Sequence, residues 1–500
     1  MNAAVYREKI EREVKAWAMP SIAVGILKDG ETVMAEGFGY ADVEGRRKPD
    51  ADTLYQIGSC SKAFTAAAAA ILADQGKLDW DKPAREYLPW LRFKESFMTE
   101  NVSVRDLLCH RTGLPRYDAY WVGSACTRRD MVENLRNMDR VCGFRAGWNY
   151  QNFCYVAVGM IVEEISGMSW EQFVQENLLD PLGMTRTFFW LDDMAEQENR
   201  SFPYEPENEL EGTGMKRVDH LRFPAENREA GVGAPYGPAG AIISCISDMM
   251  KWVKFQLNKG KVGDKQIISE KNMREMHRIN MIMEKPLLAD HPEQDLHGYG
   301  MGWFVESHRG HKVIHHGGNV NGYSAHMFFV PDLDLASVTL INFGHARMTW
   351  AMMYDTIDEA LGIEDGNWHE RMRGMVQKQV EAGKKHLEKL EEERVADTKP
   401  AHPMADYAGT YETAAYGDIV VREENGELFL KYNLLKEGKL EHYHYETFRV
   451  NDASCDFNFM QIHFKTDPKG KVCGLEIAIG DPRQKAEFYT RKPETAKAEA

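Results

Sequence analysis

The sequence predicts an α+β fold in which an antiparallel sheet is flanked by helices, followed by a separate all-β region toward the C-terminal end. Three observations carry this. Alternating strand patterns stand near both ends of the first 363 residues, at 21–42 and 298–343, with a helix-rich middle between them. A strongly charged helical stretch then interrupts the pattern at 364–402. From Tyr407 onward the texture is almost wholly short alternating segments. Strands that flank a helical middle suit a chain whose two ends share one sheet.

Taken in order, "MNAAVYREKIEREVKAW" opens with a charged helical pattern. "SIAVGILKDG" and "ETVMAEGFGYAD" read as two strands joined at Asp29-Gly30, a dipeptide suited to the tight turn of a hairpin. "YQIGSCSKAFTAAAAAILADQGK" follows as a helix expected to open at Ser59. Residues 153–180 are helical again, with "VAVGMIVEEISG" ending at Gly167 and "SWEQFVQENLL" restarting from Ser169 as N-cap. "SCISDMMKWVKFQLNKG" repeats that pattern from Ser247 to Gly260. The strands of "GYGMGWFVE" and "KVIHHGGNVNGYSAHMFFVPDLDLASVTLINF" come next, and the helix "WAMMYDTIDEAL" closes the unit. Beyond the charged helix and its proline-containing linker, seven or eight short strands are enough for a small barrel or sandwich. The expected division is a first domain at 1–363, a charged helical linker at 364–402, an all-β domain at 403–493 and a disordered tail at 494–500.

Composition narrows the function. The chain has 500 residues, 43% hydrophobic and 28% charged, which is globular. Its formal net charge of −16 repels phosphate backbones and anionic lipid, and no basic stripe interleaves with aromatics. Nucleic acid and membrane are therefore not expected partners. The N-terminal helix lacks the apolar core of a signal segment, and no run of 18 uncharged apolar residues follows. Eight cysteines, at 60, 109, 126, 142, 154, 245, 455 and 473, form no CxxC pair, so reduced thiols and a cytoplasmic location are expected.

The chemistry gathers at three places. Ser59 and Lys62 are three apart, so on a helix they share a face and the amine reaches the hydroxyl. Ser59 could equally be an N-cap beside a solvated lysine, since a chain this long holds one or two such spacings by chance; this chain has one. Cys60 could pose as the nucleophile, but no base stands at helical spacing from it. In "GFRAGWNYQNFCYVAVG", Tyr150 and Asn152 precede a helix, where a phenol and an amide can project into a cleft. In "VIHHGGNVNGYSA", a strand reaches His316, and Gly317 and Gly318 permit close approach of a ligand or another backbone. His308, His311, His315 and His316 could be argued as a zinc site, but His308 falls in an apparent hairpin turn and all but His316 resemble a polar turn.

Ser-x-x-Lys at Ser59 and Lys62, Tyr-x-Asn at Tyr150 and Asn152, and His-x-Gly at His316 and Gly318, in that order, resemble the serine beta-lactamase and penicillin-binding protein superfamily. The class C-like branch, the beta-lactamase-related or CubicO serine hydrolases, is similar, with "VRDLLCHRTGLPRYD", "GPAGAIISCISDMMKW" and "GYGMGWF" as further familial phrases over about residues 5–362. A C-terminal lipocalin-like barrel after such a domain resembles the archaeal self-compartmentalising CubicO peptidases, which usually carry Pro where Gly143 stands. The resemblance implies a beta-lactamase-like fold with a helical subdomain, a homo-oligomer, and a barrel that mediates assembly or lids the site. It implies acyl transfer through a Ser59 ester, with Tyr150 or Lys62 taking the proton and Asn152 positioning the substrate amide. His316 would hold the substrate or the Tyr150 network, and the N–H groups of Ser59 and Asn319 would form the oxyanion hole beside Gly317 and Gly318. As base near neutrality, Tyr150 needs its pKa lowered by about 3 units, much of which a nearby Lys62 cation could supply.

No metal or cofactor is implied. Three functions fit: an amide hydrolase for short peptides or amino acid amides, some with D-residues; an esterase or lactonase with weak beta-lactamase activity; or a non-catalytic acyl-accepting or binding protein. The acidic loop at 190–236 suggests a mild bias against anionic substrates.

Overall fold

The computed structural model describes residues 2–208, 213–220, 222–228, 231–284, 292–294, 296–364, 366–451, 459–479 and 481–493. The expected tail at 494–500 lies outside the described residues. The main elements of the first unit are α1 (Ala3–Ala16), β1 (Ser21–Lys28), β2 (Glu31–Gly39), α2 (Ser61–Asp74), α3 (Asn152–Ser166), α4 (Ile246–Leu257), β3 (Met281–Ile282), β4 (His297–Tyr299), β5 (Phe304–His308), β6 (His311–Val320), β7 (Tyr323–Val330), β8 (Leu335–Ile341), α5 (Met348–Leu361) and α6 (Trp368–Glu392). The eight strands form one antiparallel sheet in the order β2-β1-β8-β7-β6-β5-β4-β3. The two ends of the unit do share it: β1 lies between β2 and β8, with Ile22 opposite Ile341 and Lys28 opposite Leu335. The β1–β2 turn falls at Asp29-Gly30, both at positive φ (53° and 78°), as the dipeptide predicts.

Side chains alternate across this sheet with period two, and each face finds a different partner. Ile22, Val24, Ile26, Phe328 and Val330 pack with Tyr6 and Ile10 of α1, Tyr354 and Ile357 of α5, and Trp368 of α6. Ala23, Leu27, Ala325 and Met327 face the helical middle, where Phe64 and Trp252 also lie. α4 sits so close there that a Cβ on Gly25 would stand 2.5 Å from the Met250 Sδ.

On the outer face Asp358 is a buried node. It accepts from His308 Nε2 at 2.8 Å, from Arg309 Nε at 2.7 Å and Nη2 at 2.9 Å, and from Trp368 Nε1 at 2.7 Å. Burial alone would raise its pKa, yet these donors hold it well below the usual carboxylate range. His308 is thus no turn residue: it ends β5, fully buried, and the turn falls at Arg309-Gly310, because the Asp358 carboxylate gives its imidazole a partner inside.

Helix ends follow the sequence at Gly167, which is left-handed (φ 73°), and at Ser169, whose Oγ accepts from Gln172 N at 3.2 Å. Two starts differ. α4 begins at Ile246 rather than Ser247, whose amide instead donates to Ala51 O. α2 begins at Ser61 rather than Ser59, because Gly58 takes φ +50° and residues Gly58–Cys60 form a separate 3-10 turn. Ser61 Oγ stitches that turn, donating to Gly58 O at 2.8 Å and accepting from Ile242 N at 3.1 Å.

The C-terminal unit is a closed eight-stranded antiparallel barrel from Gly409–Thr413 to Glu487–Arg491, the last strand pairing with the first at Tyr411 and Arg491. Closure removes free sheet edges, which a sandwich would leave. Its interior is filled by buried Tyr411, Ile419, Leu430, Phe448, Phe464 and Leu475. The barrel seats on residues 117–137 of the first unit. Tyr117 stacks on Tyr416 with centroids 4.8 Å apart, Asn134 Nδ2 donates to Ala415 O at 2.9 Å, and Asn433 Nδ2 donates to Ala119 O and Val122 O at 3.2 Å each.

Candidate active site

The turn that carries Ser59 is pressed against β6. A Cβ on Gly318 would stand 1.9 Å from Ile57 O and 2.9 Å from Ser59 N, and one on Gly58 would stand 2.7 Å from Asn319 N. Only paired glycines allow this crossing, which brings the backbone amides of Ser59 and Asn319 together. Asn319 is held by Ser324, whose Oγ donates to its Oδ1 at 3.0 Å.

Lys62, on the first turn of α2, is fully buried with three partners. Its Nζ lies 2.7 Å from Asn152 Oδ1, 2.7 Å from Ala239 O and 3.1 Å from Ser59 Oγ. Asn152 is oriented by Asp118, which accepts from its Nδ2 at 2.9 Å, so the amide oxygen must face Lys62. Two partners are therefore obligate acceptors. A neutral amine has two N–H donors for them and one lone pair left, directed at the Ser59 hydroxyl. Burial, and then repulsion from Arg116, depress the Lys62 pKa well below the lysine range, against the pull of Asp118.

Tyr150 behaves oppositely. Burial pushes its phenol up, although contact with Ser59 and the Arg116 guanidinium work against the rise. The sequence expectation that a Lys62 cation lowers Tyr150 is thus reversed: both groups are desolvated, and desolvation favours the neutral form of each. Lys62 Nζ lies 4.7 Å from the centre of the Tyr150 ring. Behind that ring stands buried His110, 4.3 Å between centroids, whose Nδ1 accepts from Gln151 N at 3.0 Å.

His316 is buried and fully engaged. Its Nδ1 lies 2.6 Å from Gly317 O and so carries the proton, leaving Nε2 to accept from Tyr299 O–H at 2.9 Å. The other histidines diverge: His308 meets Asp358, His311 meets Asp332 and His315 meets His326. His308 and His315 are buried in the sheet rather than in a polar turn, because buried partners hold them there. Among the described residues no three potential metal ligands converge. Cys60 Sγ points away to His316 O at 3.3 Å, and burial drives its thiol pKa far up, so it offers no thiolate. The seven described cysteines are all unpaired. Among the described residues no helix is long and apolar enough to cross a membrane.

Ser59, Tyr150, His316, Gly317 and Asn319 open onto one cleft of about 500 Å³, walled by Trp148, Phe304 and Trp350. Sequence spacing found Ser59, Lys62, Tyr150 and Asn152 but not their supports. Arg116 and Asp118 stand in the familial phrase "VRDLLCHRTGLPRYD", where no spacing marks them as site residues, and Ala239 contributes a backbone oxygen that no side-chain pattern encodes. Asp481 and Arg483 also line the cleft, from a barrel loop more than 400 residues after Ser59 in the chain.

A buried lysine with a depressed pKa, set against a serine in a turn crossed by a glycine-containing strand, defines a serine hydrolase on an α+β scaffold. Residues 7–361 match the family model described as Beta-lactamase, and residues 393–492 match a domain of unknown function. The chain belongs to the beta-lactamase family. An unguisins hydrolase of Aspergillus violaceofuscus is 26% identical over 457 residues, 85% of this chain and 77% of that one. Among solved structures, the octameric penicillin-binding protein homologue from Pyrococcus abyssi superposes with a TM-score of 0.64 at 20% identity, over 98% of this chain and 100% of that one. A D-stereospecific amidohydrolase from Streptomyces sp. gives 0.54 at 21%, over 68% and 94%. At these identities the structural likeness is one of fold, and with the archaeal homologue it extends over the barrel.

Proposed function

We propose that the protein hydrolyses amide bonds of short peptides or amino acid amides through an acyl-enzyme on Ser59. The observation that carries this reading is the buried Lys62 amine, 3.1 Å from Ser59 Oγ and with its pKa depressed by burial. Lys62 takes the Ser59 proton as Oγ bonds to the substrate carbonyl carbon. The N–H groups of Ser59 and Asn319 hold the oxyanion. The C–N bond then breaks, and the departing nitrogen receives the proton from Lys62 by way of the Tyr150 hydroxyl. Water, deprotonated by the same route, releases the acid and restores Ser59. Asn152 fixes the amine, and His316 positions the strand through Tyr299 and Gly317.

Amide rather than ester chemistry, with D-residues among the substrates, is favoured by the names of the similar proteins, a hydrolase of unguisins and a D-stereospecific amidohydrolase. We place the catalytic unit at 1–363, the linker at 364–402 and the barrel at 403–493, in a cytoplasmic homo-oligomer. The octameric state of the archaeal homologue supports the homo-oligomer, and the unpaired described cysteines support the cytoplasmic location.

The test is intact-mass detection of a fluorophosphonate adduct, followed by a panel of peptide, ester and beta-lactam substrates. One adduct per chain is expected, lost in Ser59→Ala, with turnover highest on amides. An adduct that persists in Ser59→Ala, or that moves to Cys60, overturns the assignment of Ser59; faster turnover of esters overturns the amide reading.

A further inference from the structure

Tyr150 stands on a stretch, residues 148–151, that belongs to neither helix nor strand, so no secondary structure of its own fixes the phenol. One remote residue does. The amide before it, Asn149 N, donates to His110 O at 2.8 Å, and the amide after it, Gln151 N, donates to His110 Nδ1 at 3.0 Å. The backbone oxygen and the ring of one histidine thus receive the two N–H groups that flank Tyr150, as a partner strand would. Both reach the same segment because His110, just past the short helix Val104–Leu108, takes φ +56°, a left-handed conformation that histidine tolerates better than most residues. The fully buried ring then lies on Tyr150 at 4.3 Å between centroids, with Tyr299 at 4.9 Å and Tyr155 at 5.1 Å around it.

Accepting from an amide, His110 Nδ1 carries no proton, so the proton stands on Nε2. That Nε2–H is buried and finds no hydrogen-bond acceptor among the described residues. A hydrocarbon ring of similar shape would avoid the penalty, so what the histidine contributes through its ring lies at Nδ1. Protonation of Nδ1 would break the bond to Gln151. Burial, and then repulsion from Lys62, His316 and Arg116, hold the His110 pKa well below the histidine range, which keeps that bond intact through neutrality. The base that activates Ser59 is held separately: Lys62 is fixed by Asn152 and Ala239, and Asn152 by Asp118.

We propose that His110 is a positioning residue of the reaction, a two-point clamp that sets the Tyr150 hydroxyl where it passes the proton from Lys62 to the departing nitrogen. This rests on the hydrolase reading and adds the residue that aims its proton carrier. The clamp serves one half of the chemistry. An amine leaves only with a proton supplied to it, whereas fluoride departs as the anion, so the clamp matters for amides and little for the attack of Ser59 itself.

The test compares two reactions of the same serine. Fluorophosphonate labelling of Ser59 expels fluoride, whereas turnover of the peptide amide that reacts fastest in the substrate panel expels an amine. His110→Phe keeps a ring and loses the acceptor. It is expected to slow amide turnover at least about tenfold more than labelling, and to add no further loss in Tyr150→Phe. His110→Asn, which keeps an acceptor oxygen on a short side chain and tolerates the same φ, is expected to recover most of that loss with the wild-type acidic limb. Should His110→Phe fail to melt cooperatively, His110→Gly, free of the strain that φ +56° imposes on phenylalanine, reads the same split. Equal slowing of the two reactions marks a merely structural residue and overturns the proposal. So do losses that multiply in the double variant, or His110→Asn as slow as His110→Phe. Nitrogen NMR of the histidine-labelled wild-type chain, with the His110 signals assigned by their absence in His110→Asn, is expected to show the Nε2–H tautomer near neutral pH. An Nδ1–H tautomer or an imidazolium there overturns the clamp whether or not the protein is a hydrolase. Absence of labelling at Ser59 in the wild-type chain would count against the hydrolase reading alone.

Discussion

At the scale of single residues, the decisive fact is that Lys62 and Tyr150 are both driven toward their neutral forms. With Lys62 as the proposed base, activity is expected to rise with pH as Lys62 loses its proton, the acidic limb of kcat/KM lying well below the ordinary lysine range, while burial keeps Tyr150 a phenol through neutrality. Lys62→Met removes the lone pair and is expected to lower acylation by about 10²–10⁴-fold. Tyr150→Phe is expected to lower the rate but keep the acidic limb. Disappearance of that limb in Tyr150→Phe would make the phenol the base. Arg116→Gln removes a cation that depresses Lys62 and releases Asp118, which raises it, so both effects move the limb to higher pH. A downward shift in the measured profile would refute that ordering of charges. Ser59 and Lys62 were legible because their contact is local, set by helical geometry alone. Arg116, Asp118 and Ala239 were not, because their role depends on packing between segments remote in sequence.

At the scale of elements, the crossing of β6 over the Ser59 turn is the most exacting contact. Gly318→Ala places a methyl 1.9 Å from Ile57 O, so the strand must retreat and carry Asn319 N with it. The expected result is a stability loss of about 1–3 kcal/mol by denaturant titration and a larger fall in kcat than in substrate affinity. An unchanged kcat would mean that Asn319 N takes no part in the oxyanion site. Asp358→Asn is expected to cost about 3 kcal/mol at neutral pH by leaving His308 and Arg309 without their carboxylate. Its folded pKa is depressed, so its contribution is present above the ordinary carboxylate pKa of about 4 and is lost as pH falls through the folded value. A difference between variant and wild type that widened on acidification would contradict this. Hairpin, helix ends and barrel strands were readable from turn dipeptides and period-two patterning. The starts at Ser59 and Ser247 were misplaced by two residues and one, because Gly58 and the contact with Ala51 are tertiary.

At the scale of the whole molecule, the barrel is bound into the catalytic unit by Tyr117, Asn134 and Asn433. Removal of residues 399–500 should leave a soluble unit, since its sheet is closed by α5. The segment 117–137 should then exchange amide hydrogens faster and kcat/KM should fall. Light scattering on the same truncated chain tests assembly, an unchanged particle mass arguing against a barrel-mediated oligomer. Full activity with unchanged exchange would show that the interface is passive. The sheet order has a further consequence, for synthesis on the ribosome. β1 needs β8 as its neighbour, and about 300 residues separate them. At about 5–20 residues per second, the N-terminal hairpin waits roughly 15–60 s with one edge of β1 unpaired and Ile22, Val24 and Ile26 lacking their contacts with α5 and α6. During that interval Ser59 has already emerged, while the strand that aligns it and the loop that walls its cleft have yet to be made. A nascent chain therefore carries the proposed nucleophile long before the sheet that aligns it is complete, which comes only after Ile341 has been made.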